Sequence, residues 1–156
     1  MESARNSSAD TLVIPNDQFL REVEKVIASG ETVMLTATGN SMLPFITGGR
    51  DTVFLKSAGK LELGQIVLAR LPEGNYVLHR IIKISEEEII LRGDGNLRAT
   101  EECTTSDIVG IVWRITRNGK TINPDSRSER CRSRLWMWLL PVRRYLLFIY
   151  KRTHRI

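Results

Sequence analysis

A hydroxyl, an imidazole and a carboxylate stand in that order along the chain, each in a distinctive setting. Ser41 lies in Gly39-Asn40-Ser41-Met42-Leu43-Pro44, His79 in Tyr76-Val77-Leu78-His79-Arg80-Ile81, and Asp94 in Arg92-Gly93-Asp94-Gly95-Asn96. Together these types can run nucleophilic hydrolysis. An alcohol attacks once a base takes its proton, and a carboxylate that accepts a hydrogen bond from the imidazole fixes its tautomer. A glycine-led turn ahead of the serine can also aim backbone N–H groups, here around Gly39, Asn40 and Ser41, at a developing oxyanion. Read singly, each residue has a plainer role. Ser41 suits a helix cap, His79 a hydrogen-bonded residue on the apolar face it shares with Val77 and Ile81, and Asp94 a glycine-flanked turn.

The elements that must position them are mostly β. Residues 1–14 are polar and expected to be disordered. Asn16 and Asp17 can cap a helix with Phe19, Leu20, Val23, Val26 and Ile27 on its apolar side, and Gly30 ends it. One such helix is too little for a helix-turn-helix domain. From residue 32 the pattern predicts strands at Thr32–Thr38, Thr52–Lys56, Gln65–Leu71, Asn75–Ile84, Glu88–Arg92 and Ile108–Arg117. Turn chemistry separates them, most strongly at the hairpin signal Asn118-Gly119. Short strands and tight loops imply a compact, mostly antiparallel β-domain over residues 15–122.

With 156 residues the chain can bury one core, and its 42% apolar and 26% charged content is ordinary for a globular domain. The positive charge is concentrated at one end. Residues 127–156 hold nine Lys/Arg against one acidic residue, whereas residues 1–126 hold fourteen against seventeen. The basic character therefore belongs to the tail, and a nucleic-acid-gripping body is not expected. Cys103 and Cys131 form no CxxC or Cys/His spacing, so neither a metal site nor a disulfide framework is expected, and no cofactor is implied. No secretory signal and no span of 18 uncharged apolar residues is visible. The expected location is the cytoplasm, peripheral at the cytoplasmic membrane.

That last expectation comes from the end of the chain. A polar linker at residues 123–134 is expected to lead into a basic aromatic helical tail, residues 135–156. There Trp136, Trp138 and Tyr145 mix with Arg143 and Arg144, a composition suited to a helix lying on an anionic membrane surface. Packing on the domain or on a second copy, and a nucleic-acid patch, are the competing readings.

Taken together, the stretch from Gly39 to about Ile115 resembles the catalytic core of the LexA/signal-peptidase superfamily of serine peptidases. The Ser-Met-x-Pro nucleophile box is matched by Ser41-Met42-Leu43-Pro44, and a Gly-Asp-Ile/Val-Val strand nearly so by Gly64-Gln65-Ile66-Val67. Most bacterial members carry a lysine base where this chain has His79. Histidine there is similar to the archaeal and endoplasmic-reticulum signal-peptidase branch, whose Gly-Asp-x-Asn box is matched by Gly93-Asp94-Gly95-Asn96 and whose closing strand is matched by Asp107-Ile108-Val109-Gly110. Members of that branch carry a second aspartate shortly after the first, where this chain offers Glu101 or Glu102. An imidazole base is chemically coherent, because it titrates near neutrality without the burial that a lysine base requires.

The resemblance implies a LexA/signal-peptidase-like β-fold and a serine endopeptidase with Ser41 as nucleophile, His79 as base and Asp94 as its orienter. Gly39, Asn40, Met42 and Pro44 are expected at the oxyanion and substrate-binding positions. The implied partner is a peptide or protein substrate with small residues before the scissile bond. Two alternatives accompany it: a non-catalytic membrane-associated β-module with a peptide-binding groove, and a LexA-like self-cleaving regulator.

Overall fold

The computed structural model describes residues 16–154, so the expected disorder of residues 1–14 lies outside the described residues. Helix α1, Asn16–Ala28, forms where its apolar side was expected and ends at Gly30, whose φ of 90° favours glycine. The side chains of Asn16 and Asp17, expected to cap it, lie outside the described residues. Val23 and Ile27 are buried, with Leu20 packed beside them, while Phe19 and Val26 remain exposed.

Eight strands follow: β1 Val33–Thr36, β2 Asp51–Lys56, β3 Ile66–Arg70, β4 Tyr76–Ile84, β5 Ile89–Arg92, β6 Glu101–Cys103, β7 Ile108–Arg117 and β8 Lys120–Ile122. All their pairings are antiparallel, in the order β1-β2-β7-β3-β4-β5-β6, with β8 added to β7. This is the expected antiparallel β-fold. Strand β7 joins its halves, pairing with β2 on one side and with β3 and β8 on the other. Its Gly110 matters for packing. A Cβ there would stand 2.8 Å from the Lys56 carbonyl and 3.2 Å from the Ile27 side chain, so glycine lets α1 lie close on the sheet.

Period-two alternation sorts the strands between two cores. Ile66, Leu68, Val53, Leu55, Val112 and Ile115 pack with α1 on one side. Val67, Ala69, Ile81, Ile89, Leu91 and Cys103 pack on the other.

The expected linker at 123–134 is corrected by the structure. Helix α2, Arg127–Trp138, starts inside it, with Ser126 at its N-cap accepting from the Glu129 N–H at 3.3 Å. Helix α3, Arg143–His154, follows after Pro141.

Candidate active site

The segment carrying Ser41 is a long irregular return between β1 and β2, and it is stapled at its base. Gly48 N–H donates to Gly39 O at 3.0 Å and Gly49 N–H to Ala37 O at 2.8 Å. A Cβ on Gly48 would collide with the Gly39 backbone, so the two arms of the return can meet only at a glycine. Beneath it, fully buried Asp51 accepts from Thr47 N–H at 2.9 Å, from Arg50 Nε at 2.7 Å and from Arg117 Nη2 at 2.8 Å. Arg117 also donates to the Phe45 carbonyl. Burial alone would push the Asp51 carboxyl up, but these donors outweigh it and hold it at about 2.

Ser41 itself heads a turn rather than a helix, so the capping role does not apply. Among the described residues the N–H groups of Asn40, Ser41 and Met42 have no acceptor. Ser41 and His79 line one cavity of about 480 Å³, together with Leu35, Leu68, Tyr76 and Asn96.

The turn after β5 closes against this segment. Gly95 N–H donates to Ser41 O at 2.7 Å. A Cβ on Gly93 would abut Ser41 O and lie 3.0 Å from His79 Nε2 and 2.9 Å from Asn96 Nδ2. The Nε2 edge of His79 and the backbone of Ser41 therefore flank the same glycine.

The partner of His79 differs from the expected one. His79 Nδ1 meets Glu101 Oε2 at 2.7 Å. Asp94 instead engages Arg80, with Nε to Oδ1 at 2.8 Å and Nη2 to Oδ2 at 2.6 Å, and both side chains are buried. Strand register explains the exchange. Glu101 stands opposite Leu91, which stands opposite Ile81, so Glu101 shares the sheet face of Ile81 and of His79 two residues earlier. Arg80, on the other face, turns to Asp94. The Thr100-Glu101-Glu102 stretch carried the signal for this partner of His79, but the choice between two adjacent glutamates needed the register of β6.

Other expected positions are also redistributed. The side chain of Met42 is buried in the core cluster that also holds Ile46 and Ala37, so only its backbone faces the turn. Pro44 follows a cis peptide bond and is half-buried, while Gly39, at φ 74°, and Asn40 are exposed at the turn. Trp136 and Arg143, expected at a membrane interface, are turned inward because the domain offers them polar backbone partners. Trp136 Nε1 donates to Asp94 O at 2.8 Å, and its ring meets Phe45 edge-on at 6.2 Å. Arg143, only 2% exposed, donates to Trp136 O at 2.8 Å and Asn96 O at 3.3 Å. The tail thus buttresses the turn that carries Asn96. Trp138, Arg144 and Tyr145 remain exposed. Among the described residues no group of His, Cys, Asp and Glu is arranged to hold a metal ion.

No curated protein matches the chain. The Peptidase S24-like family model matches residues 3–113, which include Ser41, His79, Asp94 and Glu101. The chain belongs to the Peptidase S24-like family, and so to proteins of serine-peptidase or LexA-like self-cleaving type.

Proposed function

We propose that the protein is a serine endopeptidase working through a Ser41–His79–Glu101 relay. The observation that carries this reading is the 2.7 Å contact between Glu101 and His79 Nδ1, on an imidazole that lines the same cavity as Ser41. In the tautomer whose Nδ1–H donates to Glu101, the Nε2 lone pair is the one that can act as a base. Ser41 Oγ would give its proton to Nε2 while bonding to the scissile carbonyl carbon. The protonated imidazole would then return that proton to the departing amine, and water would hydrolyse the acyl-enzyme by the same route. The free N–H groups of Ser41 and Met42 are suited to the oxyanion.

Strand β1 ends the sheet order and contributes Leu35 and Thr36 to the cavity, so an extended peptide could add to its open edge. Ser41→Ala is expected to remove cleavage of peptide substrates while leaving the melting temperature essentially unchanged. A fully active Ser41→Ala protein would end this reading.

Self-cleavage is the second reading, favoured by one feature. Phe19 and Leu20 of α1 line the cavity, so the chain's own N-terminal helix begins at its rim. Incubating the pure protein and comparing its fragments with those of Ser41→Ala separates action in cis from action in trans.

The tail suits a membrane-surface location. Helices α2 and α3 expose Leu135, Trp138, Tyr145, Phe148 and Ile149, with Trp138 79% exposed. Arg134, Arg144, Lys151 and Arg152 are exposed beside them. Apolar and cationic groups so interleaved match an anionic lipid interface. Among the described residues no helix is long and apolar enough to cross a membrane. Flotation with phosphatidylglycerol vesicles should carry the protein upward, and Trp138→Ala/Phe148→Ala should remain below. Equal flotation of both proteins, or a Trp138-dependent dimer without lipid binding, counts against this location.

A further inference from the structure

A second cavity, of about 240 Å³, opens where the end of β5 and the Gly93–Asp94 turn meet α2 and α3. Ile82, Arg92, Asp94, Met137 and Arg143 line it. Its charges do not balance. Arg80 and Arg92 stand directly opposite each other across β4 and β5, a placement in which like charges repel. Asp94 is the carboxylate at hand, and both of its oxygens are engaged by Arg80. Arg143 spends its Nη groups on the neutral carbonyls of Asn96 and Trp136. Among the described residues neither Arg92 nor Arg143 has a carboxylate partner. Each also keeps a buried Nε with no hydrogen-bond partner. Burial pushes the Arg143 guanidinium below its ordinary value; Asp94 opposes this, and Arg92 and Arg80 add to it.

A buried guanidinium such as that of Arg143 is costly unless an anion and hydrogen bonds satisfy it, and Arg92 beside it is half-buried. We propose that this cavity is a binding site for a phosphate-class oxyanion, held by Arg92 and Arg143. The guanidinium fork matches two oxygens of a tetrahedral anion, and two such forks lie on one wall system here. The cavity exceeds a bare phosphate and has apolar Ile82 and Met137 in its lining, leaving room for an ester substituent. A free phosphate and the phosphodiester of an anionic lipid share this chemistry. Arg143 and Asp94 also tie the tail to the Gly93–Asn96 turn, so an anion between them would stiffen the turn beside Ser41. The site itself is independent of the proposed peptidase chemistry.

The test uses the full chain and sodium phosphate, with sodium chloride at matched ionic strength as reference, read by calorimetry and thermal unfolding. Saturable phosphate binding is expected, weakened about tenfold or more in Arg92→Met and less in Arg92→Lys. Arg92→Met also removes the opposition to Arg80, so it should fold and melt in chloride no lower than the unaltered protein. A phosphatidylglycerol flotation arm separates the sources. Reduced flotation of Arg92→Met, with phosphate competing against vesicles, assigns the lipid headgroup; unchanged flotation with a lost phosphate response assigns the free anion. Both outcomes uphold the site. A phosphate response no larger than that of chloride, or one that Arg92→Met retains in full, overturns it.

Discussion

Glu101 Oε2 lies 2.7 Å from His79 Nδ1 although the two residues belong to β6 and β4, with β5 between them. A long side chain on the edge strand spans the gap along a shared sheet face. The nearer acid in sequence, Asp94, is held on Arg80 by two charge-assisted bonds. The two carboxylates therefore have separable partners, the His79 imidazole for Glu101 and the Arg80 guanidinium for Asp94.

That separation is measurable. Glu101→Gln should keep the fold but lower kcat by about 10²–10⁴-fold, because an amide no longer enforces the productive tautomer. Asp94→Asn should act chiefly on stability, by about 3–5 kcal/mol, since it leaves the buried Arg80 guanidinium without its charge partner. Peptide turnover and denaturant unfolding on both variants check this. The opposite pattern would return Asp94 to the role first expected of it.

Gly93→Ala isolates the approach between the turn and Ser41. The φ of Gly93 is not in the left-handed region, so the cost of alanine lies in its methyl group, which would collide with the backbone carbonyl of Ser41 and lie 3.0 Å from His79 Nε2. A shift of the order of 1 Å in a catalytic pair can cost about 10²-fold in rate. The expected result is that loss in kcat together with a lowered melting temperature, because the Ser41 backbone must shift to admit the methyl group. Full activity would mean that the Ser41–His79 geometry does not depend on this contact.

The strands were legible where apolar alternation is long. Ile108–Arg117 emerges with its expected bounds because a long run rich in β-branched residues sends Val109, Val112 and Ile115 to one core and Ile108 and Ile111 to the other. Strand β6 was not legible: Glu101-Glu102-Cys103 is three residues long, two of them charged, and becomes a strand only through pairing with β5. The same blindness hid the carboxylate partner of His79, since adjacent glutamates on a strand face opposite sides and only register chooses between them. At Ser126-Arg127-Ser128-Glu129 the signal for a helix start was present, but the Ser/Arg-rich composition read as linker. Trp136 and Arg143 looked interfacial because sequence cannot reveal the two carbonyls, of Asp94 and Asn96, that draw them inward.

The two thiols should react unequally. Cys131 is exposed, whereas Cys103 is buried. Burial pushes the Cys103 thiol up to about 11, with the Asp107 and Glu101 charges adding to it. Since the thiolate is the reactive form, iodoacetamide at pH 8 should modify one cysteine per native chain, Cys131, and reach Cys103 only after unfolding. Peptide mapping by mass spectrometry decides this. Rapid native labelling of Cys103 would mean that the β5–β6 edge opens readily.

Asp51 sets the acid limit of the segment that carries Ser41. Burial opposes its ionisation, but Arg50, Arg117 and the Thr47 N–H hold it at about 2, below its ordinary value of 3.8. Because the folded-state value is the lower one, the ionised carboxylate stabilises the fold above about pH 4, and its contribution falls away as pH drops through about 2. Linkage gives that contribution a size of about 2 kcal/mol. Asp51→Asn should therefore unfold more easily at pH 7, and its stability should be flatter than that of the unaltered protein between about pH 4 and pH 2. Urea titrations at a series of pH values read both slopes, and parallel curves would show that the Asp51 cluster is not what anchors the return between β1 and β2.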